Sequence, residues 1–274
     1  MLWSAESSIH SSMDTLSDLL CNATSLPYTT ERTIDGGISE VPWWARESLF
    51  GCRGLTVIFT TVCLWLVDRG VLMPLELQGR YFILHAAGNA IAVVLTFEGM
   101  VRTLMDPVHA ADGDTSIFGY CVVVGIHLYH ILAFRPLPQI EWIHHILMIG
   151  VVGPVTFYYA RGAIIDYCSF FLSGLPGGID YCMLALVKNG VVEKQTEKRV
   201  NSAINTWMRT PFGVIGAYIL FQVALYKHET LTTGEVVSML TVAGLVLWNA
   251  LYFGRRVVEN YGGVRGPGAE PRVS

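Results

Sequence analysis

The stretch VVSMLTVAGLVLWNALYF, residues 236–253, contains no charged side chain. As an α-helix it would be about 27 Å long, close to the thickness of about 30 Å of a bilayer's hydrocarbon core. A helix satisfies its backbone hydrogen bonds internally, as a segment surrounded by lipid must. The stretch therefore predicts a membrane-spanning helix.

The composition of the whole chain is also that of a membrane protein. Of its 274 residues, 52% are hydrophobic and only 15% are charged, whereas an ordinary soluble domain carries about 25% charged residues. The net charge is −4 and the basic residues form no continuous stripe. Nucleic acid is therefore not expected as a partner. Membrane lipid is the expected partner, and a homo- or hetero-oligomer in the membrane is left open.

Seven apolar segments have the length of a membrane span. They lie at residues 49–67, 81–102, 117–134, 140–160, 162–187, 210–226 and 236–253. The prediction is an all-α, multi-span transmembrane bundle of about seven helices. In this prediction, residues 1–48 are an N-terminal segment, residues 49–255 are the transmembrane domain, and residues 256–274 are a flexible tail.

The distribution of Lys and Arg predicts the orientation of the spans, because short cytoplasmic loops collect basic residues. Five basic residues lie on the side of the N-terminus and twelve on the opposite side. The twelve are Arg69, Arg80, Arg135, Lys188, Lys194, Lys198, Arg199, Arg209, Arg255, Arg256, Arg265 and Arg272. We therefore expect a lumenal N-terminus and a cytosolic C-terminus. The expected location is an endomembrane, the endoplasmic reticulum or Golgi, and the alternative is the mitochondrial inner membrane.

Histidines are concentrated around the third and fourth predicted spans. Four of the chain's eight histidines fall in HLYHILAFRPLPQIEWIHHIL, residues 127–147. With a rise of about 1.5 Å per residue, these four lie in one layer with His85 and Asp180, about 6–10 Å below the cytosolic interface. Ionisable residues at such a depth are costly and usually face a bundle interior or a cavity. The layer therefore predicts an intramembrane site, and histidines that merely bridge helices are the structural alternative.

The candidate catalytic residues of this site are His144, His145 and Asp180. The candidate ligand-binding residues are His85, Asn89, His127, His130 and Pro176. Asn89 follows His85 by four residues and shares its helix face. Pro176 precedes two glycines and is expected to kink or unwind the fifth span, either as a plain kink or as a break that faces a ligand.

Several of these segments resemble the TLC-domain family, multi-span lipid proteins that include the ceramide synthases. The segment IEWIHHILMI (140–149) opens one span and follows LYHILAF (128–134), and SFFLSGLPGGIDYCMLALVK (169–188) lies one span later. The resemblance covers about residues 80–255, and its most specific element is the histidine pair at the start of a span. It implies a TLC-like bundle of helices.

In ceramide synthases the family motif is HHxxTxxLxxxSY, and its histidine pair takes part in N-acylation of a sphingoid base from acyl-CoA at a cavity open to the cytosol. His144 and His145 match the pair. The other positions depart from the motif, with Met148, Val151, Val155 and Thr156 where it has Thr, Leu, Ser and Tyr. The resemblance implies an acyl lipid as ligand and acyl-CoA as the co-substrate of an enzyme of this kind.

The expected function is therefore to bind or modify a sphingolipid-related acyl lipid in a histidine-lined cavity near the cytosolic face. If the chain is an enzyme, we expect an acyltransferase in which a neutral histidine takes the proton from a lipid amine or hydroxyl. Two alternatives stay open: a non-catalytic transporter or accessory subunit of a membrane complex, and a histidine-ligated metal-dependent lipid enzyme. No residue is assigned to a metal, because the layer holds too few histidines for a di-iron site and no CxxC pair is present.

Overall fold

A computed structural model describes residues 52–112, 117–159 and 162–265, and within these ranges all regular secondary structure is helical. The chain divides into two compact units, Met1–Thr56 and Val57–Ser274. Of the first unit only residues 52–56 are described, and they begin the first helix. The predicted N-terminal segment, residues 1–48, lies outside the described residues.

The described residues form seven helices, several of which contain one wider π-helical turn. They are α1 (Cys52–Val67, continued by a π turn at Asp68–Leu72), α2 (Arg80–Met105), α3 (Phe118–Ala133), α4 (Gln139–Tyr159), α5 (Ile164–Lys188), α6 (Lys194–Tyr226) and α7 (Thr233–Arg265). Six of them are long and apolar enough to cross a membrane, and α3 is a shorter apolar helix of 16 residues. The prediction of an all-α, multi-span bundle is confirmed.

Two helix boundaries differ from the sequence-based expectation. Helix α6 begins at Lys194, well before residue 210, because α5 ends at a turn where Gly190 adopts a φ of 72° and the chain then resumes a helix. Helix α7 continues to Arg265, so the predicted flexible tail begins, in its described part, as helix. There Arg255 Nε donates a hydrogen bond to Glu259 Oε1 at 2.6 Å, one helical turn apart, which supports the extension.

Helix α2 packs between α3 and α5 and positions both. Its Leu84 and Ala92 pack with Val122 and Ile126 of α3 in one cluster of buried side chains. Gly88 of α2 faces the Ile126 side chain, and no room is left there for a Cβ atom. Small residues at such contacts let membrane helices approach closely, because dispersion contacts drive their association in lipid. The histidine-bearing parts of α2 and α3 are thereby held side by side.

Each π turn ends two residues before a proline. The π turns are Asp68–Leu72, Ile146–Val152, Phe170–Gly174 and Asn205–Arg209, and the prolines are Pro74, Pro154, Pro176 and Pro211. A proline has no N–H, and its ring collides with the carbonyl four residues earlier, so the preceding turn must widen. The break expected at Pro176 therefore takes the form of a widened turn. The same pattern lies beside His145 and at Arg209.

Candidate functional site

Five histidine rings from three helices lie together. Helix α2 contributes His85, α3 contributes His127 and His130, and α4 contributes His144 and His145. The ring centroids of His130 and His145 are 4.9 Å apart, those of His85 and His130 are 5.3 Å apart, and those of His127 and His145 are 5.4 Å apart. The predicted convergence of the five imidazoles is confirmed, and we call these residues the histidine cluster.

The order of the helices explains this convergence. Helix α3 ends at Ala133 and α4 begins at Gln139, so the two are neighbours joined by a short connection. Residues near the end of α3 therefore lie level with residues near the start of α4. Adjacent residues of a helix point about 100° apart, and accordingly His145 packs on His130 while His144 packs on Phe253 of α7 at 5.3 Å. His127 contacts both members of the pair.

Hydrogen bonding defines which nitrogens of the cluster are occupied. His127 Nδ1 lies 2.7 Å from the carbonyl oxygen of Val123, and His85 Nδ1 lies 2.9 Å from that of Tyr81. A carbonyl only accepts, so both Nδ1 atoms donate, and Nε2 of each neutral ring holds a lone pair. Buried nitrogens without a hydrogen-bond partner are His85 Nε2, His144 Nδ1, His145 Nδ1 and His145 Nε2. An unsatisfied buried polar group costs about 1–3 kcal/mol, so the cluster has binding capacity that the protein itself does not use.

Two tyrosines that sequence analysis missed, Tyr81 and Tyr181, lie beside the histidine cluster, and Tyr81 also lines a groove. The Tyr81 ring lies 4.4 Å from that of His85 and 4.3 Å from that of His130, and the Tyr81 and Tyr181 hydroxyls are 3.2 Å apart. On its other side Tyr81 lines a groove of about 570 Å³ beside the α1–α2 connection, together with Phe134. The spacing of four residues between Tyr81 and His85 was the available signal, since it places both on one helix face.

The structure does not bring Asp180 to the histidine pair. The carboxylate interacts electrostatically with Arg209 and with Lys198, and its Oδ1 atom is buried without a hydrogen-bond partner. The charged groups that interact with Asp180 all belong to α6, and its predicted catalytic role stays a prediction. A direct catalytic role of this carboxylate on the pair has no contact to support it within the described residues.

Asn89 and Pro176 lie at the contact between α2 and α5. Ser173 Oγ donates a hydrogen bond to Asn89 Oδ1 at 3.3 Å. A Cβ atom on Gly177 would lie 3.0 Å from Asn89 Nδ2, so the glycine after Pro176 allows this close approach without a shift of the Asn89 side chain. Both residues are buried. Their position explains them as helix-packing residues, and their predicted role in ligand binding stays a prediction.

Helix α6 carries a line of polar side chains that sequence analysis also missed. Glu197, Asn201, Asn205 and Arg209 recur every four residues and so share one face. Asn201 Nδ2 donates to Glu197 Oε1 at 3.4 Å, and Asn205 Nδ2 donates to Asn201 Oδ1 at 2.6 Å. The spacing of four was the signal in the sequence. This line, which we call the α6 polar ladder, ends at Arg209.

Arg209 brings the α6 polar ladder to the histidine cluster. It interacts electrostatically with His127 and His144 as well as with Asp180, and its Nε atom is buried without a hydrogen-bond partner. The sequence-based count placed Arg209 in the connection before the sixth span, and the structure corrects this. A cation inside the bundle is stable only where a partner such as Asp180 offsets its charge.

The site contains five imidazoles, each of which can be neutral, together with the guanidinium of Arg209 and the carboxylate of Asp180. The outer surface of the bundle around it is apolar. Exposed large side chains on that surface include Phe59, Trp65, Val94, Tyr218 and Leu251, as expected where helices face lipid. No protein-family model, curated protein or solved structure matches the chain.

Proposed function

We propose that this membrane protein binds or modifies an acyl lipid at the histidine cluster. The observation that supports the proposal is the convergence of five imidazoles from three helices with buried nitrogens that have no partner. An apolar interior would avoid the cost of these groups. A ligand that supplies hydroxyl, amine or carbonyl groups at the cluster removes that cost.

The position of the cluster favours a lipid over a water-soluble ligand. His85, His130 and His145 are buried and lie in helices long or apolar enough to belong to a membrane bundle. A lipid reaches such a depth from the bilayer, with its acyl chain against apolar side chains and its polar group at the imidazoles. The TLC-like segments point to the same class of ligand, a sphingolipid-related acyl lipid.

Individual residues have distinct roles in this proposal. The Nε2 atoms of His85 and His127 accept hydrogen bonds from a lipid hydroxyl or amine, since their Nδ1 atoms donate to backbone carbonyls. Arg209 binds a lipid carbonyl or carboxylate. If the protein catalyses acyl transfer, His144 or His145 is the base that takes the proton from the attacking group. Acyl-CoA is then the co-substrate, with Lys194 and Lys198 at the start of α6 available to its phosphates.

Co-purifying lipid provides the first test. We expect full-length protein purified in mild detergent to retain about one acyl lipid per chain, detected by extraction and mass spectrometry. His127→Gln and His145→Gln should lose it, whereas His228→Gln, a histidine replaced in an exposed connection, should retain it. Acyl-CoA turnover by the wild type and by His144→Ala then separates modification from binding. Equal lipid content in the wild type and in folded cluster variants would refute the proposal.

The same proposal places the cluster near the cytosolic face of an endomembrane, with a lumenal N-terminus and a cytosolic C-terminus. Its support is the excess of Lys and Arg on one side of the spans. A glycosylation acceptor introduced in the connection between α6 and α7, residues 227–232, should be modified in cells. One introduced between α5 and α6, residues 189–193, should not. The reverse pattern would overturn the orientation.

A further inference from the structure

We propose that His127, His144 and His145 form a binding site for one divalent transition-metal ion. The inference rests on the geometry of the cluster alone. The ion would compete with the lipid for the same nitrogen atoms, because a lone pair that binds a metal can neither accept a hydrogen bond nor take a proton. Each residue offers one ring nitrogen, and the three nitrogens all lie within 4.8 Å of one another. Around a tetrahedral ion with metal–nitrogen bonds of about 2.0–2.1 Å, ligand nitrogens lie about 3.3–3.4 Å apart. Small side-chain rotations close this difference.

The rings of His144 and His145 can make those rotations towards His127. The Nδ1 atom of His144 and both nitrogens of His145 are buried without a hydrogen-bond partner, so turning either ring breaks no bond through these atoms. Neutral imidazole is a ligand for zinc, copper, iron and nickel. A bound ion would occupy nitrogen lone pairs that otherwise remain unsatisfied in the interior.

His127 has the surroundings of a metal ligand. Its Nδ1–H donates to the Val123 carbonyl oxygen at 2.7 Å, which holds the ring in place and leaves the Nε2 lone pair for an ion. Metal-bound histidines almost always donate their other N–H in this way, and the donation makes the ligating nitrogen a better ligand. His127 contacts both rings of the adjacent pair, with centroid distances of 5.8 Å to His144 and 5.4 Å to His145.

A second group, His130, Glu141 and His145, has the same mutual spacing of ligand atoms. There His130 Nε2 lies 3.5 Å from Glu141 Oε2, and the Glu141 side chain is 41% exposed. The His130 imidazole already has an acidic neighbour, and the Glu141 carboxylate is in contact with water. Binding an ion at this group would therefore be less favourable in free energy than binding it at the three histidines. We therefore assign the ion to the three-histidine group.

The neighbouring charges permit a cation. Arg209 interacts electrostatically with His127 and His144 and opposes a positive ion, but it also interacts with Asp180, which offsets its charge. Three histidines leave one coordination position open, which is the arrangement of catalytic zinc sites rather than structural ones. The layer holds too few histidines for a di-iron site. A mononuclear site needs only three histidines.

Cobalt binding tests the assignment directly. Full-length protein in detergent is stripped with a chelator, loaded with Co²⁺ and examined by visible absorption and by metal analysis. We expect one equivalent of Co²⁺ with the intense bands of a four-coordinate ion. His127→Gln and His145→Gln should weaken binding on the order of 100-fold, since loss of even an outer-shell partner of a metal ligand costs 10–100-fold. His109→Gln, an exposed histidine outside the cluster, should bind as the wild type does.

Glu141→Gln separates the two groups. Unchanged Co²⁺ affinity in this variant supports the three-histidine site, whereas loss of binding in Glu141→Gln with normal binding in His127→Gln would overturn the assigned ligands. Circular dichroism and gel filtration establish that each variant is folded.

The wild type gives an answer even if the cluster variants do not fold. Co²⁺ at 100 times its dissociation constant should stabilise it by a factor of about 100 in the folding equilibrium, seen as a rise in melting temperature. A wild type with neither absorption bands nor a Co²⁺-dependent rise would refute the site. The assay uses protein from which co-purifying lipid has been removed by washing in detergent, as checked by mass spectrometry, so its result does not depend on the lipid proposal.

Discussion

Replacing Tyr129 by Phe removes one hydroxyl group from a buried network, and we expect this change to lower the melting temperature measurably. Asp68 is 1% exposed and lies in the π turn after α1. Its Oδ2 accepts a hydrogen bond from the Tyr129 hydroxyl at 2.7 Å, and its Oδ1 accepts one from Arg80 Nη1 at 2.9 Å. The network joins α1, α2 and α3, and two of these helices carry residues of the histidine cluster.

The expected loss of stability in Tyr129→Phe depends on the charge of the Asp68 carboxylate, which accepts the hydrogen bond. A hydrogen bond to an ionised group contributes about 1.5–3 kcal/mol to stability. For a domain of this size, 1 kcal/mol corresponds to about 2–4 °C, so Tyr129→Phe should lower the melting temperature by about 3–12 °C. Asp68→Ala should cost more, because it removes the charge that pairs with Arg80 as well as the acceptor of the Tyr129 hydrogen bond.

Thermal unfolding in detergent, followed by tryptophan fluorescence, measures the effect. Tyr218→Phe is the matched control, since it makes the same chemical change on a side chain that is 61% exposed. The control should stay within about 0.5 kcal/mol of the wild type. A double-mutant cycle with Asp68→Ala isolates the Tyr129 hydrogen bond. The predicted contribution of this bond would be refuted if Tyr129→Phe unfolded at the same temperature as Tyr218→Phe, or if its effect simply added to that of Asp68→Ala.

Two further predictions concern helix packing and pH. A Cβ atom on Gly213 would lie 2.7 Å from that of Ala250, so Gly213→Ala should destabilise the protein by about 1–3 kcal/mol. The control is Gly244→Ala, whose added Cβ atom would have no other atom within 4 Å. This change should be neutral or should stabilise the protein by up to about 1 kcal/mol. Beyond the end of α2, the hydrogen bond from the His109 side chain lowers the pKa of Asp106. The contact should therefore persist at neutral pH and be lost as the pH falls through that lowered pKa. An NMR titration should show the pKa return towards its ordinary value in His109→Gln.

The apolar segments were enough to predict where the membrane-spanning helices lie. Segments long enough to span a bilayer predicted seven helices, and the structure has a helix at each predicted segment. The start of α6 could not be predicted in this way. Glu197, Asn201 and Asn205 are polar, so the hydropathy of this segment is that of a loop. Their hydrogen bonds with one another in the interior make them compatible with a helix.

The candidate site was predicted in part. His85, His127, His130, His144 and His145 were expected at one level, and their rings meet. Their common level could be predicted because it depends only on distances along each helix. The interaction of Asp180 with Arg209 could not be predicted, because Arg209 was counted among the loop cations. The tyrosines in front of the cluster were missed because tyrosine near a helix end has an ordinary explanation as an interfacial residue.

The sequence by itself determined the class of fold and the approximate positions of the apolar helices. It also predicted the common level of the histidines, since that level is the number of residues from a helix end multiplied by a constant rise. The tertiary structure alone decided which way each helix is turned about its axis and which helix lies beside it. That rotation depends on how all the helices pack together, at contacts such as Gly88 against Ile126. It directs Asp180 to Arg209 and His127 to the histidine pair, because a side chain's partner is set by the neighbouring helix surface and not by its own position in the chain.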